Sequence, residues 1–142
     1  LSAVQNALPA DAAVFAAAVA DWHVEASVGT IKKDGSGQPP ALNLSENPDI
    51  LATVSQMDSG RPGLVVRFAA ETDDVIANAT AKRLRKGCDW IVANDVSPET
   101  GIMGGDENAV TVIDKDGAEA WSRASKRDVA RRLAQRIADT LA

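Results

Sequence analysis

The stretch from Leu64 to Ser97, LVVRFAAETDDVIANATAKRLRKGCDWIVANDVS, narrows the choice of fold more than any other part of the chain. An apolar run, Leu64-Val65-Val66 followed by Phe68, gives way to small residues and then to Glu71-Thr72. Asp73-Asp74 opens a helix that Gly87 closes. A second apolar run, Trp90-Ile91-Val92-Ala93, ends at Asn94-Asp95-Val96-Ser97. Two buried strands joined by a short helix make a parallel, right-handed crossover. Sheets of this kind bind ligands beyond the carboxyl ends of their strands. Phe68-Ala69-Ala70-Glu71 and Asn94-Asp95 are therefore the first places to expect a site.

The rest of the chain supplies matching elements. Leu1, Val4, Gln5 and Leu8 recur at helical spacing, and Pro9 ends that helix. Ala12 to Ala20 is a continuous apolar run of strand length, the form buried parallel strands take, with Asp21-Trp22-His23 at its carboxyl end. Lys32-Lys33-Asp34-Gly35-Ser36-Gly37 and Pro39-Pro40 mark a loop, and Ala41 to Leu44 reads as a short strand. Asn47 fits an N-cap and Pro48 a first helical position, followed by the apolar stripe Ile50, Leu51, Val54 and Met57. Pro98 to Glu107 is a glycine-rich loop. Asn108 to Ile113 and Ala118 to Trp121 flank Asp114-Lys115-Asp116-Gly117, whose Asp-Gly pair signals a hairpin. Ser125 caps the last helix with Asp128 three residues on. There Val129, Leu133, Ile137 and Leu141 form a packing face, and Arg131, Arg132 and Arg136 face water. The order of elements predicts one domain over residues 1–142, an α/β sandwich around a largely parallel sheet with a hairpin extension.

Composition excludes several classes. At 142 residues there is enough chain for one core. A net charge of -5 argues against non-specific nucleic-acid binding. No apolar run approaches the ~18 residues of a membrane span, and no signal-peptide pattern stands at Leu1. Leu1 in the place of an initiator methionine reads as the start of a piece of something longer. The single cysteine, Cys88, excludes an internal disulfide and suits a reducing cytoplasm, and one histidine leaves no His-rich metal site.

Six segments together carry a family resemblance. AAVADW (Ala17 to Trp22), IKK (Ile31 to Lys33), NPDI (Asn47 to Ile50), FAAET (Phe68 to Thr72), AKRLRKGCDWIVANDVS (Ala81 to Ser97) and GGDENAV (Gly104 to Val110) follow one another in the order and spacing of phosphopantothenoylcysteine synthetase. The chain resembles that family along essentially its whole length. The resemblance implies a Rossmann-like three-layer α/β domain that dimerises, often fused behind a flavin-dependent decarboxylase that would hold any FMN. It also implies a two-step ligation in the cytoplasm. The carboxylate of 4'-phosphopantothenate attacks the α-phosphate of CTP, giving an acyl cytidylate and pyrophosphate, and the amine of cysteine then displaces CMP. By the same resemblance Ala17, Ala18, Asp21, Asn47, Pro48, Asp49, Ile50, Phe68, Lys82 and Lys86 bind CTP, Asp21 meets its Mg2+, and Asn94 meets the substrate. Three positions depart from the family pattern. Thr30 stands where the family keeps a catalytic lysine, leaving Lys32 or Lys33 to reach in; His23 replaces an arginine, and Arg67 replaces a glycine. The family's glycine-rich N-terminal motif and a substrate-binding asparagine would precede Leu1.

Each position also has a plainer reading. Asp21 is equally a turn-forming aspartate, and Ala17-Ala18 a tight packing contact. Asn47 to Ile50 reads as a capped helix start whose free amides also suit a phosphate. Phe68 serves the core as readily as a nucleobase. Lys82 and Lys86 share a helical face with Val75 and Ala79, where cations near a helix's end are favourable. Asn94-Asp95 also fits a turn, Gly104-Gly105-Asp106 a flexible connection or flap, and Cys88 a packed thiol. Arg67 should point to the opposite strand face from Phe68, since neighbours alternate. A second reading of the whole chain is a non-catalytic dimerisation module of the same family. A nicotinamide-dependent oxidoreductase is a poor fit, because no G-x-G-x-x-G follows a strand.

Overall fold

The computed structural model describes residues 1–26, 29, 32–33, 35–71, 73–96 and 105–142. In chain order the elements are α1 (Ser2–Asn6), β1 (Ala12–Phe15), β2 (Trp22–Val24), β3 (Leu44–Glu46), α2 (Ile50–Ser55), β4 (Leu64–Glu71), α3 (Val75–Lys86), β5 (Trp90–Asp95), β6 (Glu107–Asn108), β7 (Val110–Ile113), β8 (Ala118–Ala120), β9 (Ala124–Ser125) and α4 (Lys126–Leu141). They fall into two compact units, Leu1–Ala17 with Ile50–Ala142, and Ala18–Asp49. None of the helices is long and apolar enough to cross a membrane, among the described residues.

The larger unit is built on a sheet of strand order β1-β4-β5-β7-β8. Its β1-β4 and β4-β5 pairs are parallel, while β7 and β8 are added antiparallel. Alternation along β4 sends Val65 and Ala69 to one face and Leu64 and Val66 to the other. The first face packs with Leu51 and Val54 of α2 and Ala79 of α3 around Ile91, Ala93 and Ile113. The second packs with Val129 and Leu133 of α4 around Trp90, Val92, Val112 and Trp121. This is the three-layer, Rossmann-like α/β arrangement expected from the sequence. The opening stretch forms the expected strand, helix and strand among the described residues, with Gly87 closing α3 at φ +74°. Arg67 shares the strand face of Val65 and Ala69, opposite Phe68, as alternation requires.

Four expectations are corrected. The Ala12 to Ala20 run is not one buried strand: β1 stops at Phe15 and sits at the sheet edge, with Val14 47% exposed. Its later alanines have weak strand propensity and no partner strand. The predicted strand over Ala41 to Leu44 forms later, as β3, because Leu44–Glu46 pairs antiparallel with Trp22–Val24 in the smaller unit. The helix predicted after Asn47 begins at Ile50, so Asn47 is not its cap and Pro48 not its first residue. Finally, Arg132 and Arg136 do not simply face water. Arg132 lies 4.1 Å above the Trp121 ring and pairs with Glu119. Arg136 lies 5.0 Å from the centre of the Trp90 ring and pairs with Asp114 and Glu119. Each cation gains a π-face and a carboxylate that water alone does not offer.

On α4, Val129, Leu133 and Ile137 pack as expected, but Leu141 at its end is 43% exposed. The hairpin turn closes through Asp114 N–H to Gly117 O, and Asp114 Oδ1 accepts from the amides of Asp116 and Gly117. Ser125 Oγ accepts from Asp128 N–H and donates to Asp128 Oδ2, capping α4.

Two predictions concern this scaffold. Asp89 Oδ2 accepts from Val65 N–H at 2.7 Å and from Arg61 at 2.9 Å. Asp89→Ala leaves a backbone donor and a guanidinium short of their acceptor and should cost about 2–3 kcal/mol, read as a lower urea midpoint at unchanged slope. Burial pushes the Cys88 thiol above its ordinary value of 9.0, although Arg67 and Arg83 pull it down. The native state therefore holds a proton that the unfolded chain releases, so stability present below that value falls as pH rises above it. Urea midpoints should decline above that pH more steeply in the wild type than in Cys88→Ala, and native Cys88 should resist iodoacetamide until the chain unfolds.

Candidate functional site

The carboxyl end of the parallel pair carries the site geometry in the larger unit. In register, Phe68 faces Val92, Ala69 faces Ala93, Ala70 faces Asn94 and Glu71 faces Asp95. Even-numbered side chains from β4 and β5 point to the α4 layer, so Phe68 and Asn94 share one face, two register positions apart. Phe68 packs on the apolar cluster of that layer and remains partly exposed, and Asn94 is also half-buried. Phe68 thus contributes to the core and stays partly exposed.

On the other face stands an ion pair. Lys82 Nζ donates to Glu71 Oε1 at 2.6 Å, with side chains 26% and 13% exposed. Glu71 is the last residue of β4, and its carbonyl accepts from Val96 N–H at 3.0 Å. Lys82 lies in the middle of α3, and helical side chains tilt toward the helix start. That tilt carries its ammonium back to the strand ends. Lys86, at the last residue of α3, lies one further turn from that edge. Phe68 and Asn94 are thus together on one face, and Lys82 and Lys86 belong to the opposite layer. Sequence reasoning missed Glu71 as a partner of Lys82. The available signal was a carboxylate ending an apolar strand, facing a helix with a lysine on its packed side.

The smaller unit holds Ala18, Asp21, Asn47, Pro48 and Asp49. Asn47 N–H donates to Asp21 O at 2.8 Å, and Asn47 Nδ2 donates to Ala20 O at 2.8 Å. The structure therefore joins the Asp21 and Asn47 segments directly, although they are far apart in sequence. Asp21 is exposed and immediately precedes β2, rather than ending a buried strand. Ala17 and Ala18 are exposed outside any regular element, as are Lys32 and Lys33. Ile50, the last residue of the NPDI segment, starts α2 in the larger unit. Thr30, Ile31, Thr72, Ser97 and Gly104, with most of the glycine-rich loop, lie outside the described residues, and nothing is described of the Asp95 side chain.

No group of three or more His, Cys, Asp or Glu side chains suited to a metal occurs among the described residues. Cys88 is buried with a raised thiol, so it is a packing residue and not a nucleophile.

Comparisons with known proteins place these observations. The coenzyme A biosynthesis bifunctional protein CoaBC of Haemophilus influenzae is 39% identical over 137 residues, which are 96% of this chain and 32% of that protein. The same-named protein of Vibrio parahaemolyticus is 34% identical over 137 residues, 96% of this chain and 34% of that protein. The chain thus spans about a third of the length of these curated relatives. Among solved structures, the C-terminal domain of a CoaBC protein superposes with a TM-score of 0.68 at 29% identity, over 99% of this chain and 61% of that one. A DNA/pantothenate metabolism flavoprotein from Streptococcus pneumoniae shares the fold at 20% identity and a TM-score of 0.53, over 70% of this chain and 43% of that one. The family model for the DNA/pantothenate metabolism flavoprotein C-terminal domain matches residues 1–141, and the chain belongs to that family.

Proposed function

We propose that this chain is the phosphopantothenate–cysteine ligase part of a coenzyme A biosynthesis protein, working with CTP. The observation that carries the reading is likeness to the C-terminal domain of a CoaBC protein along 99% of the chain. In the proposed reaction the 4'-phosphopantothenate carboxylate attacks the α-phosphorus of CTP, the bond to pyrophosphate breaks, and an acyl cytidylate forms. The amine of cysteine then attacks the acyl carbon, CMP leaves, and the amine proton passes to solvent. A bound Mg2+ would offset triphosphate charge.

The family likeness suggests a role for each residue. Asp21 would meet the metal-bound triphosphate, and the Asn47–Ile50 segment, with Ala17 and Ala18, would line the nucleotide. Phe68 offers a partly exposed ring to the base, Asn94 an amide for the acyl substrate, and Lys82 and Lys86 N–H donors to CTP. Lys32 and Lys33 are the exposed lysines beside the Thr30 position and are the reading's sources of catalytic charge. The bifunctional names of the relatives support a fused flavin decarboxylase as partner, with FMN belonging to that part.

A homodimer is also proposed. In the smaller unit Trp22, Val24 and Leu44 sit on two three-residue strands and are 57%, 48% and 58% exposed. A two-stranded ribbon this short is marginal by itself, and clustered apolar exposure marks an association surface.

Two measurements test these proposals. CTP with Mg2+ should raise the melting temperature of the full chain, with about 2.7 kcal/mol of stabilisation at 100 times its dissociation constant. An unchanged melting temperature at millimolar CTP removes the nucleotide reading. Trp22→Glu should shift the protein from dimer to monomer in light scattering. A wild type that is monomeric at all accessible concentrations ends the dimer proposal.

A further inference from the structure

We infer that Glu71 is the residue that positions Lys82 for the nucleotide, an inference that rests on the ligase reading. Three features lead to it. Glu71 ends β4 at the carboxyl edge and is anchored there by its backbone bond to Val96. Its side chain is 13% exposed, and its Oε1 accepts from Lys82 Nζ at 2.6 Å. Lys82 enters from the middle of a helix on a flexible four-carbon stem. Without a fixed acceptor, that stem has many rotamers. With Glu71 in place, the ammonium is held at the strand ends.

The pairing also sets what Lys82 offers. An ammonium has three donors, and one is committed to Glu71. The pair as a whole is electrically neutral. Lys82 therefore presents directed N–H groups rather than a free positive charge. Such a donor suits an uncharged oxygen of the nucleotide, on its base or ribose, better than the triphosphate, where the adjacent carboxylate would repel the anion. Glu71 is thus a positioning residue that acts through Lys82.

The test is a double-substitution cycle on the full chain, reading the CTP·Mg2+ dissociation constant by calorimetry. Lys82→Ala should weaken CTP roughly tenfold, the usual worth of one charge-assisted hydrogen bond. The isosteric Glu71→Gln should weaken it by several fold, and adding it to Lys82→Ala should change nothing further. In the absence of nucleotide, Glu71→Gln should also speed acetylation of Lys82 by acetic anhydride, read by mass spectrometry. That signal reports the positioning contact and not general stability. The inference is overturned if Glu71→Gln leaves CTP affinity unchanged, or if it costs the same factor with and without Lys82. It also falls if Lys82→Ala is silent while the wild type binds CTP, an outcome that leaves the ligase reading standing. A wild type that binds no CTP removes both.

Discussion

One guanidinium closes the amino end of the sheet. Arg61 donates from Nε to Ser55 O at 2.7 Å, from Nη1 to Pro62 O at 2.8 Å, and from Nη2 to Gly87 O at 3.2 Å and Asp89 Oδ2 at 2.9 Å. The same carboxylate oxygen takes the amide of the second residue of β4, Val65 N–H. A planar, permanently charged fork can gather acceptors in this way, and lysine's ammonium on its flexible stem cannot reproduce it. The ends of α2 and α3 and the starts of β4 and β5 are fixed by this node. Because β4 and β5 run parallel, register set at their starts propagates to Glu71 opposite Asp95. The geometry of the carboxyl edge, where the proposed chemistry lies, is thus decided at the far end of the strands.

The opposite side of the sheet uses a different device. The β7-β8 hairpin and α4 are joined by Arg132 and Arg136, each placed over a tryptophan and each paired with an acid of the hairpin. These contacts lie at the margin of a core made largely of valine, with Trp90 and Trp121 as its largest members. Arginine stems cover apolar surface while their heads stay hydrated or paired. This explains how a chain with few aromatic residues still seals an antiparallel extension onto a parallel core.

Much of this was legible in the sequence, for identifiable reasons. Leu64 to Asp95 and the last helix were readable because periodicity, a terminating glycine and a serine cap all agree. Residues 12–20 and 41–49 were misjudged because their structure depends on distant partners. Trp22–Val24 becomes a strand only through Leu44–Glu46, and Asn47 is drawn from its capping role by Ala20 and Asp21. No local pattern records such pairings. At the proposed site, Asn94 does lie near the end of its strand, while Phe68 is the fifth of the eight residues of β4 and not its end. The Glu71–Lys82 pair escaped notice because it joins the tip of a strand to the middle of a helix, and its signal is a direction in space and not a spacing.

The shortness of β1 has a consequence for how the protein survives its own folding. The outer side of this edge strand pairs with no other strand among the described residues. Had the whole alanine-rich run to Ala20 been extended, the sheet would have ended in a long, flat, uncharged edge able to recruit a strand from another molecule. Ending β1 at Phe15 leaves a template of only four residues. The other edge, β8, is guarded by Glu119 and its two arginines. The two margins are therefore kept from polymerising by unlike means, brevity on one side and charge on the other.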